Sequence, residues 1–402
     1  MKVPLKKFRP TETTKLLDEL NKLFYIFAFR GFWVEEVKLP KTFVKIYDAM
    51  YPALNVSLVI FCALQIGAHF TQKHLNIQQK ININIMGIAQ PLTKLCCLNC
   101  MYYKEECKQV LYHLFVAVKE IYNDEETEKM LVKKLKFSLW VYMFSSVSTT
   151  LLYGMYALIE MVRSGSTFVG TVTAWPDTTD TSALAACARV YLYFFWIVYT
   201  STGSMVILMV LTFFMGLTYQ YKNLQKYFEN LNSIFEDKQV THEELEMNFE
   251  KALQKGIKAH SDTLWCVNQC QTICKRINMA IVLINTGILI VLMQGFLDSK
   301  DDILKVGTCL IVLGMCLMIL AFFMWNAGDV TVEAQKLSDA IYSSGWYNCY
   351  GKRSARIRSL VVIAMIQAQE PVVFTAFGVI ELSYETYVAI IKSAYSVFSV
   401  LY

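Results

Sequence analysis

Two stretches of this chain carry aromatic and hydroxyl residues at helical spacing. Thr150, Tyr153, Gly154 and Ala157 share one helical face, and Tyr193, Trp196, Ile197 and Thr200 share another. Rings beside small residues can wall a pocket for an apolar ligand, with one or two hydroxyls fixing its orientation. The same pattern also suits ordinary bundle packing with an aromatic belt at a membrane surface. A third pattern lies near the end. Thr386, Ala389, Ser393, Ser396 and Val400 step by three and four residues along one face. Such a small, polar stripe serves either close helix packing or the lining of a water-filled pathway, where Val400 would act as a hydrophobic constriction. One such helix per chain means that a pore needs several subunits in closed symmetry. Glu385 and Lys392 sit on the same helix. Charges within a membrane are costly unless they meet water or a partner, so they fit either intersubunit anchoring or a role at a pore.

Other reactive residue types offer less. Cys266, Cys270 and Cys274 repeat every four residues, but one straight helix cannot wrap three ligands around a tetrahedral zinc, so helical packing is expected. "CCLNC" at Cys96 to Cys100 holds a single CxxC, a weak signal for which palmitoylation at the inner membrane boundary is the alternative. His260 stands alone and reads as a packing residue. There is no GxSxG, no HExxH, no phosphate-cradling glycine loop and no pair of intramembrane acids, which excludes the common enzyme chemistries and any cofactor tied to them.

The elements that must position these residues follow from hydropathy. The 402 residues are 55% hydrophobic and 18% charged, with mean hydropathy +0.37 and net charge +5. That balance argues for a membrane protein over several soluble domains. Apolar runs predict seven transmembrane helices, at 44–69, 77–101, 137–162, 189–219, 277–297, 304–327 and 372–402. Pro371 removes a donor and disfavours helix at Glu370, so a break is expected there. Lys and Arg crowd into alternate segments: nine in 1–43, seven in 102–136, eight in 220–276 and five in 328–371, with one or two in each segment between. The positive-inside rule then puts the N-terminus in the cytoplasm and the C-terminus outside, as in a multi-pass protein of the cell membrane. Basic residues dispersed beside apolar spans make nucleic acid an unsuitable partner and membrane lipid the expected one. Most of the twelve cysteines fall in apolar runs or cytoplasmic segments, so a reduced, unpaired set is expected.

The expected organisation is therefore a single all-α bundle. Residues 1–43 form a cytoplasmic segment with a short interfacial helix around "LFYIFAF", and 44–219 hold helices one to four. Between Gln220 and Arg276, apolar residues at helical spacing predict two amphipathic extensions of the fourth and fifth helices into the cytoplasm, with Thr241 as an N-cap ahead of Glu244. Residues 277–327 hold helices five and six, 328–371 a cytoplasmic anchor with the first part of helix seven, and 372–402 the last helix.

Seven spans invite comparison with G-protein-coupled receptors, but those place the N-terminus outside. No Asp-Arg-Tyr follows the third span here, and Asn-Pro-x-x-Tyr is absent. The inverted topology and the C-terminal quarter instead resemble the insect odorant receptors. "LSDAIYSSGWY" from Leu337, with Trp346, looks like that family's segment after the sixth span. "SLVVIAMIQAQEPVVFTAFGVIELSYETYVAIIKSAYSVFSVLY" is similar to its last element, and "KAHSDTLWCVN" to its stretch around a histidine, here His260. The co-receptor's large insertion in the second cytoplasmic loop is missing, so the chain resembles a ligand-tuning subunit. The resemblance implies a heterotetrameric, ligand-gated, non-selective cation channel assembled with the obligatory co-receptor. Each subunit would give its last helix to the pore, with Thr386, Ala389, Ser393, Ser396 and Val400 lining it and Val400 as gate. A small volatile hydrophobic odorant would bind among the outer halves of the second, third, fourth and sixth spans. By depth and helical face alone, that adds Ile83, Met86, Gly87 and Leu310 to the two faces named first. A metabotropic seven-helix chemoreceptor and a transporter remain the alternatives, the latter without a visible internal repeat.

Overall fold

Capping residues in the sequence mark where the helices begin. Asn76 forms a reciprocal cap: its side chain accepts from the Gln79 amide at 2.8 Å and its own amide donates to the Gln79 side chain at 3.0 Å. Asp124 accepts from the Thr127 amide at 2.8 Å, and Ser182 from the Ala185 amide at 3.3 Å. Thr241 and Glu244 pair in the same reciprocal way, as expected from their spacing. Gly165 ends its helix in the left-handed conformation, at φ 66°, where a side chain would be strained.

The computed structural model describes residues 8–27, 29–237, 239–298 and 303–400. Its helices, in order, are α1 (Glu12–Phe27), α2 (Lys41–Thr71), α3 (Ile77–Tyr102), α4 (Lys104–Tyr112), α5 (Glu125–Ser164), α6 (Ala183–Asn230), α7 (His242–Asp298), α8 (Ile303–Gln335), α9 (Leu337–Tyr342), α10 (Ser354–Gln369) and α11 (Tyr384–Val400). The class is all-helical, apart from a two-residue strand pair, β1 (Thr375–Ala376) and β2 (Ile380–Glu381). Among the described residues, α2, α6, α7 and α8 are long and apolar enough to cross a membrane. The other three expected spans coincide with α3, α5 and α11, which are more polar or shorter.

Helix α6 is the axis of the molecule. Every residue from Leu208 to Gln220 is buried, which suits a stretch that is apolar on all sides. Gly216 lets the Phe115 ring approach; a Cβ there would stand 2.6 Å from the ring. α6 and α7 continue past their apolar parts, as the amphipathic pattern predicts. Leu224 and Phe228 on one, and Phe249 and Leu253 on the other, are buried in the same core cluster, and Leu245 is buried as well.

Two expectations change. The segment expected as a short interfacial helix is instead the end of α1, whose Leu16, Leu17, Leu20 and Phe24 are buried in the core with Phe29, Phe32 and Trp33. The stripe faces protein because α1 is tied down: the Thr13 hydroxyl donates to Glu128 at 2.6 Å and Lys119 sits 3.4 Å from the same carboxylate. Burial alone would raise the Glu128 pKa, but the bonds from Thr13 and Asn123 and the Lys119 charge outweigh it and hold it at about 2. The last helix, expected from 372, begins at Tyr384. α10 stops before Pro371, with Glu370 extended as a pre-proline residue should be. Then Phe377 (φ 56°) and Gly378 (φ 77°) turn the chain into the strand pair. Its Thr375 is held to α7 by Gln271 at 2.5 Å and Asn278 at 3.2 Å.

Candidate ligand site

A partly open space of about 220 Å³ lies between α3, α5, α6, α7 and α8. Each helix brings residues one turn apart to it: Met86, Gln90 and Thr93 from α3, and Tyr142, Ser145, Thr149 and Tyr153 from α5. Trp196, Tyr199 and Gly203 come from α6, Asn285 from α7 and Cys316 from α8. The floor is aromatic. Tyr153 meets Trp196 edge to face at 5.7 Å. The Tyr199 hydroxyl is engaged, donating to the Gln90 carbonyl at 2.8 Å. The Asn285 amide donates within its own helix to Ile281 at 2.8 Å.

Several polar atoms around this space have no such partner. Among the described residues, the hydroxyls of Ser145, Ser146 and Tyr153, the Trp196 indole N–H and the Gln90 side-chain oxygen are buried and unbonded. A buried polar group left unpaired costs about 1–3 kcal/mol. A small molecule with one oxygen function would relieve part of that cost, while the aliphatic and aromatic walls take up its hydrocarbon part. The volume lies below the roughly 300–1,000 Å³ usual for drug-sized ligands, so a smaller molecule fits it.

The structure brings five of the twelve residues expected at a pocket to this space: Met86, Thr150, Tyr153, Trp196 and Thr200. The other seven lie elsewhere. Tyr193 is a wedge. Its hydroxyl donates to the Thr150 carbonyl at 2.8 Å and its ring fills the notch left by Gly154 and Gly170. Ile83 packs with Ala68 and Val172, and Ala157 borders a small polar crevice with Gln78 and Gly170. Gly87 abuts His69, Ile197 packs in the cluster beside the wedge, and Leu310 is half exposed on the outside of α8.

Gly87, Ile197 and Leu310 lie on other sides of their helices, whereas the remaining displacements are of depth. On α3, α5 and α6 alike, the cavity is centred about one turn, or ~5 Å, further from the 165–182 loop than the depth of the spans suggests. That loop folds inward. Phe168 packs edge to face on Tyr193 at 5.6 Å, Thr171 bonds Gln65 at 3.1 Å, and Val172 plugs the space beside Ile83. Arg189 clamps the loop from α6, donating to the Asp177 and Asp180 carbonyls at 3.0 and 2.8 Å. Hydropathy cannot show a loop filling the mouth of a bundle. The missed residues did leave a trace: Tyr142, Ser145 and Thr149 extend the face of Thr150 and Tyr153 by two turns.

The stripe on α11 points away from the chain's own core. Thr386 is half buried, while Ala389, Ser393 and Ser396 are exposed; Tyr387 and Ile390 pack inward instead. Glu385 and Lys392 are exposed as well. Val400 closes the helix, and its side chain lies outside the described residues. Cys266, Cys270 and Cys274 are fully buried along α7, and His260 is buried against Tyr221. Burial holds His260 neutral, with its pKa lowered to about 4.

The structure is thus a helical bundle with a mostly apolar space between its helices and, among the described residues, four helices long and apolar enough to cross a membrane. A family model described as 7tm Odorant receptor matches residues 89–395, and the chain belongs to that family. Its members are odorant receptors and not enzymes. The fold is similar to the insect olfactory receptor OR5 from Machilis hrabei. To its complex with eugenol the TM-score is 0.79 at 14% identity, covering 96% of this chain and 97% of that one. To a second structure of the same receptor it is 0.76 at 15% identity, covering 97% and 98%. No curated protein sequence matches the chain.

Proposed function

We propose that this chain is the ligand-tuning subunit of an odorant-gated, non-selective cation channel in the cell membrane. It crosses the membrane seven times, through α2, α3, α5, α6, α7, α8 and α11, with the N-terminus in the cytoplasm. The observation that carries the ligand half is the space between the helices, around which buried hydroxyls, an indole and an amide oxygen lack partners among the described residues. Its occupant is a small hydrophobic odorant with one oxygen function. The OR5 receptor, similar in fold, was solved with eugenol. The exposed stripe of Ala389, Ser393 and Ser396 supports the channel half, because small polar residues facing away from the bundle suit a water-lined axis shared with other subunits. Assembly with a co-receptor subunit supplies the remaining pore helices.

Gating needs a ligand that binds the open state better than the closed one. α6 and α8 wall the cavity, and α8 also packs along α11; the Tyr387 hydroxyl donates to the Leu317 carbonyl, one residue from Cys316 at the cavity wall. A ligand that spreads these walls moves the α11 face outward. The test is whole-cell current during a panel of volatile esters, alcohols, aldehydes and terpenoids, comparing this chain, the co-receptor and both together with nucleotide-free pipettes. Current only from the pair, reversing near zero millivolts, is expected. Odorant responses that need intracellular nucleotide and carry no such current would overturn the channel in favour of a metabotropic receptor.

A further inference from the structure

A second concavity lies away from the odorant site, on the outer side of the bundle between α3 and α7, with a volume of about 490 Å³. The two helices run antiparallel. Asn99 bonds the Ile273 carbonyl at 2.9 Å, Gly287 faces Ile88 and Gly295 faces Ile81. The groove is therefore graded along its length. Asn99, Tyr102 and Arg276 lie at one end, and Leu92, Leu95 and Leu283 lead away from it. Leu95, Leu98 and Leu283 are exposed on its walls.

The polar end looks built to receive something. Asn99, one of the lining residues, is nine-tenths buried, and among the described residues its side-chain oxygen has no hydrogen-bond partner, although its amide nitrogen is satisfied. Arg276 and its neighbour Lys275 are both exposed, and among the described residues neither pairs with a carboxylate. Phe377 presents its ring at the rim from the hairpin tip. It holds a left-handed backbone at φ 56°, a conformation seldom taken by residues other than glycine, and its amide donates to the Lys275 carbonyl at 3.1 Å.

We propose that this groove binds one anionic glycerophospholipid of the cytoplasmic leaflet. This rests on the topology given above, in which Tyr102 and Arg276 lie at the cytoplasmic boundary. The phosphate meets Arg276, which suits it as a forked cationic donor. The glycerol or headgroup donates to the free Asn99 oxygen, and an acyl chain runs along the leucines. The charge is complementary to an anionic leaflet, and the apolar end runs in the direction in which the acyl chains lie. Phe377 sits seven residues before α11, so an occupied groove holds the hairpin from which that helix springs.

The test uses the full chain in its assembly, reconstituted in phosphatidylcholine vesicles containing phosphatidylserine. Detergent extraction and native mass spectrometry then read the retained lipid. Wild type is expected to retain phosphatidylserine over phosphatidylcholine, and Arg276→Gln about tenfold less of it, the loss expected for one hydrogen bond to a charged group. Arg276→Lys, which keeps the charge, should retain most of it and so serves as a folding control. Equal retention of the two lipids, or an Arg276→Gln variant indistinguishable from wild type, would overturn the proposal. So would p-benzoylphenylalanine in place of Leu98 cross-linking to another chain, which would make the groove a subunit interface; a lipid-sized adduct supports the lipid. None of these readouts depends on odorant-evoked current, so a failed channel reading and a failed lipid site are told apart.

Discussion

Removing a single oxygen from the cavity tests its chemistry most directly. Tyr153 is buried, its ring packs on Trp196, and its hydroxyl has no partner among the described residues. Tyr153→Phe keeps the ring and deletes only that hydroxyl. In the empty receptor nothing is lost, because the group made no bond; relief of an unpaired buried hydroxyl makes the variant at least as stable as wild type. A ligand with an oxygen that meets this hydroxyl loses one neutral hydrogen bond, about 0.5–1.5 kcal/mol, or roughly 2- to 13-fold in affinity. A hydrocarbon ligand of the same shape loses nothing. The assay is a pair of dose–response curves, one for an alcohol or phenol and one for the matching hydrocarbon, in cells expressing the variant with the co-receptor. The ratio of the two half-maximal concentrations should shift by that factor towards the hydrocarbon. An equal shift for both ligands would mean that the hydroxyl acts through packing, and no shift for either would remove Tyr153 from the site.

Three further outcomes follow from the same structure. Gly154→Ala places a methyl 2.1 Å from the Tyr193 hydroxyl and should cost about 1–3 kcal/mol through the displaced wedge, seen as a lower melting temperature in detergent. Gly314→Ala, where a Cβ meets nothing within 4 Å, should leave it unchanged or raise it slightly; equal effects at the two sites would refute the wedge. The His260 pKa falls from 6.5 unfolded to about 4 in the folded chain, so its contribution is complete above pH 6.5 and is lost as pH drops towards 4. His260→Phe should flatten that part of the stability curve, and an unchanged slope would show that other groups govern it. Finally, Ser396→Cys should let a cationic thiol reagent block current only while odorant is present. Block that is independent of odorant, or absent, would count against a pore-lining Ser396.

Helices and caps were legible wherever local chemistry sets them. The Thr241–Glu244 box, the amphipathic runs through Leu224 and Phe249 and the break at Pro371 all lie where spacing and proline geometry put them. The depth of the cavity was not legible. A helical face repeats every turn, so Thr150 and Tyr153 mark a side of α5 but not which level of it is open. That level depends on Phe168 and Val172, some twenty residues away in a loop without hydropathic signature. The hairpin at 375–381 was missed for a related reason: "VVFTAFGVIEL" is apolar and β-branched, and a short apolar run alone does not separate strand from membrane helix.

By itself the sequence determined the helical class of the molecule, several of its caps and the break at Pro371, the faces that carry rings and hydroxyls, and the family. Each of these depends on residues near one another in the chain. The tertiary structure decided which of those faces meet, how far the outer loop fills the space between them, and which polar atoms are left unpaired. Those outcomes depend on side chains from five helices and a loop competing for one volume, and no local pattern records who occupies it.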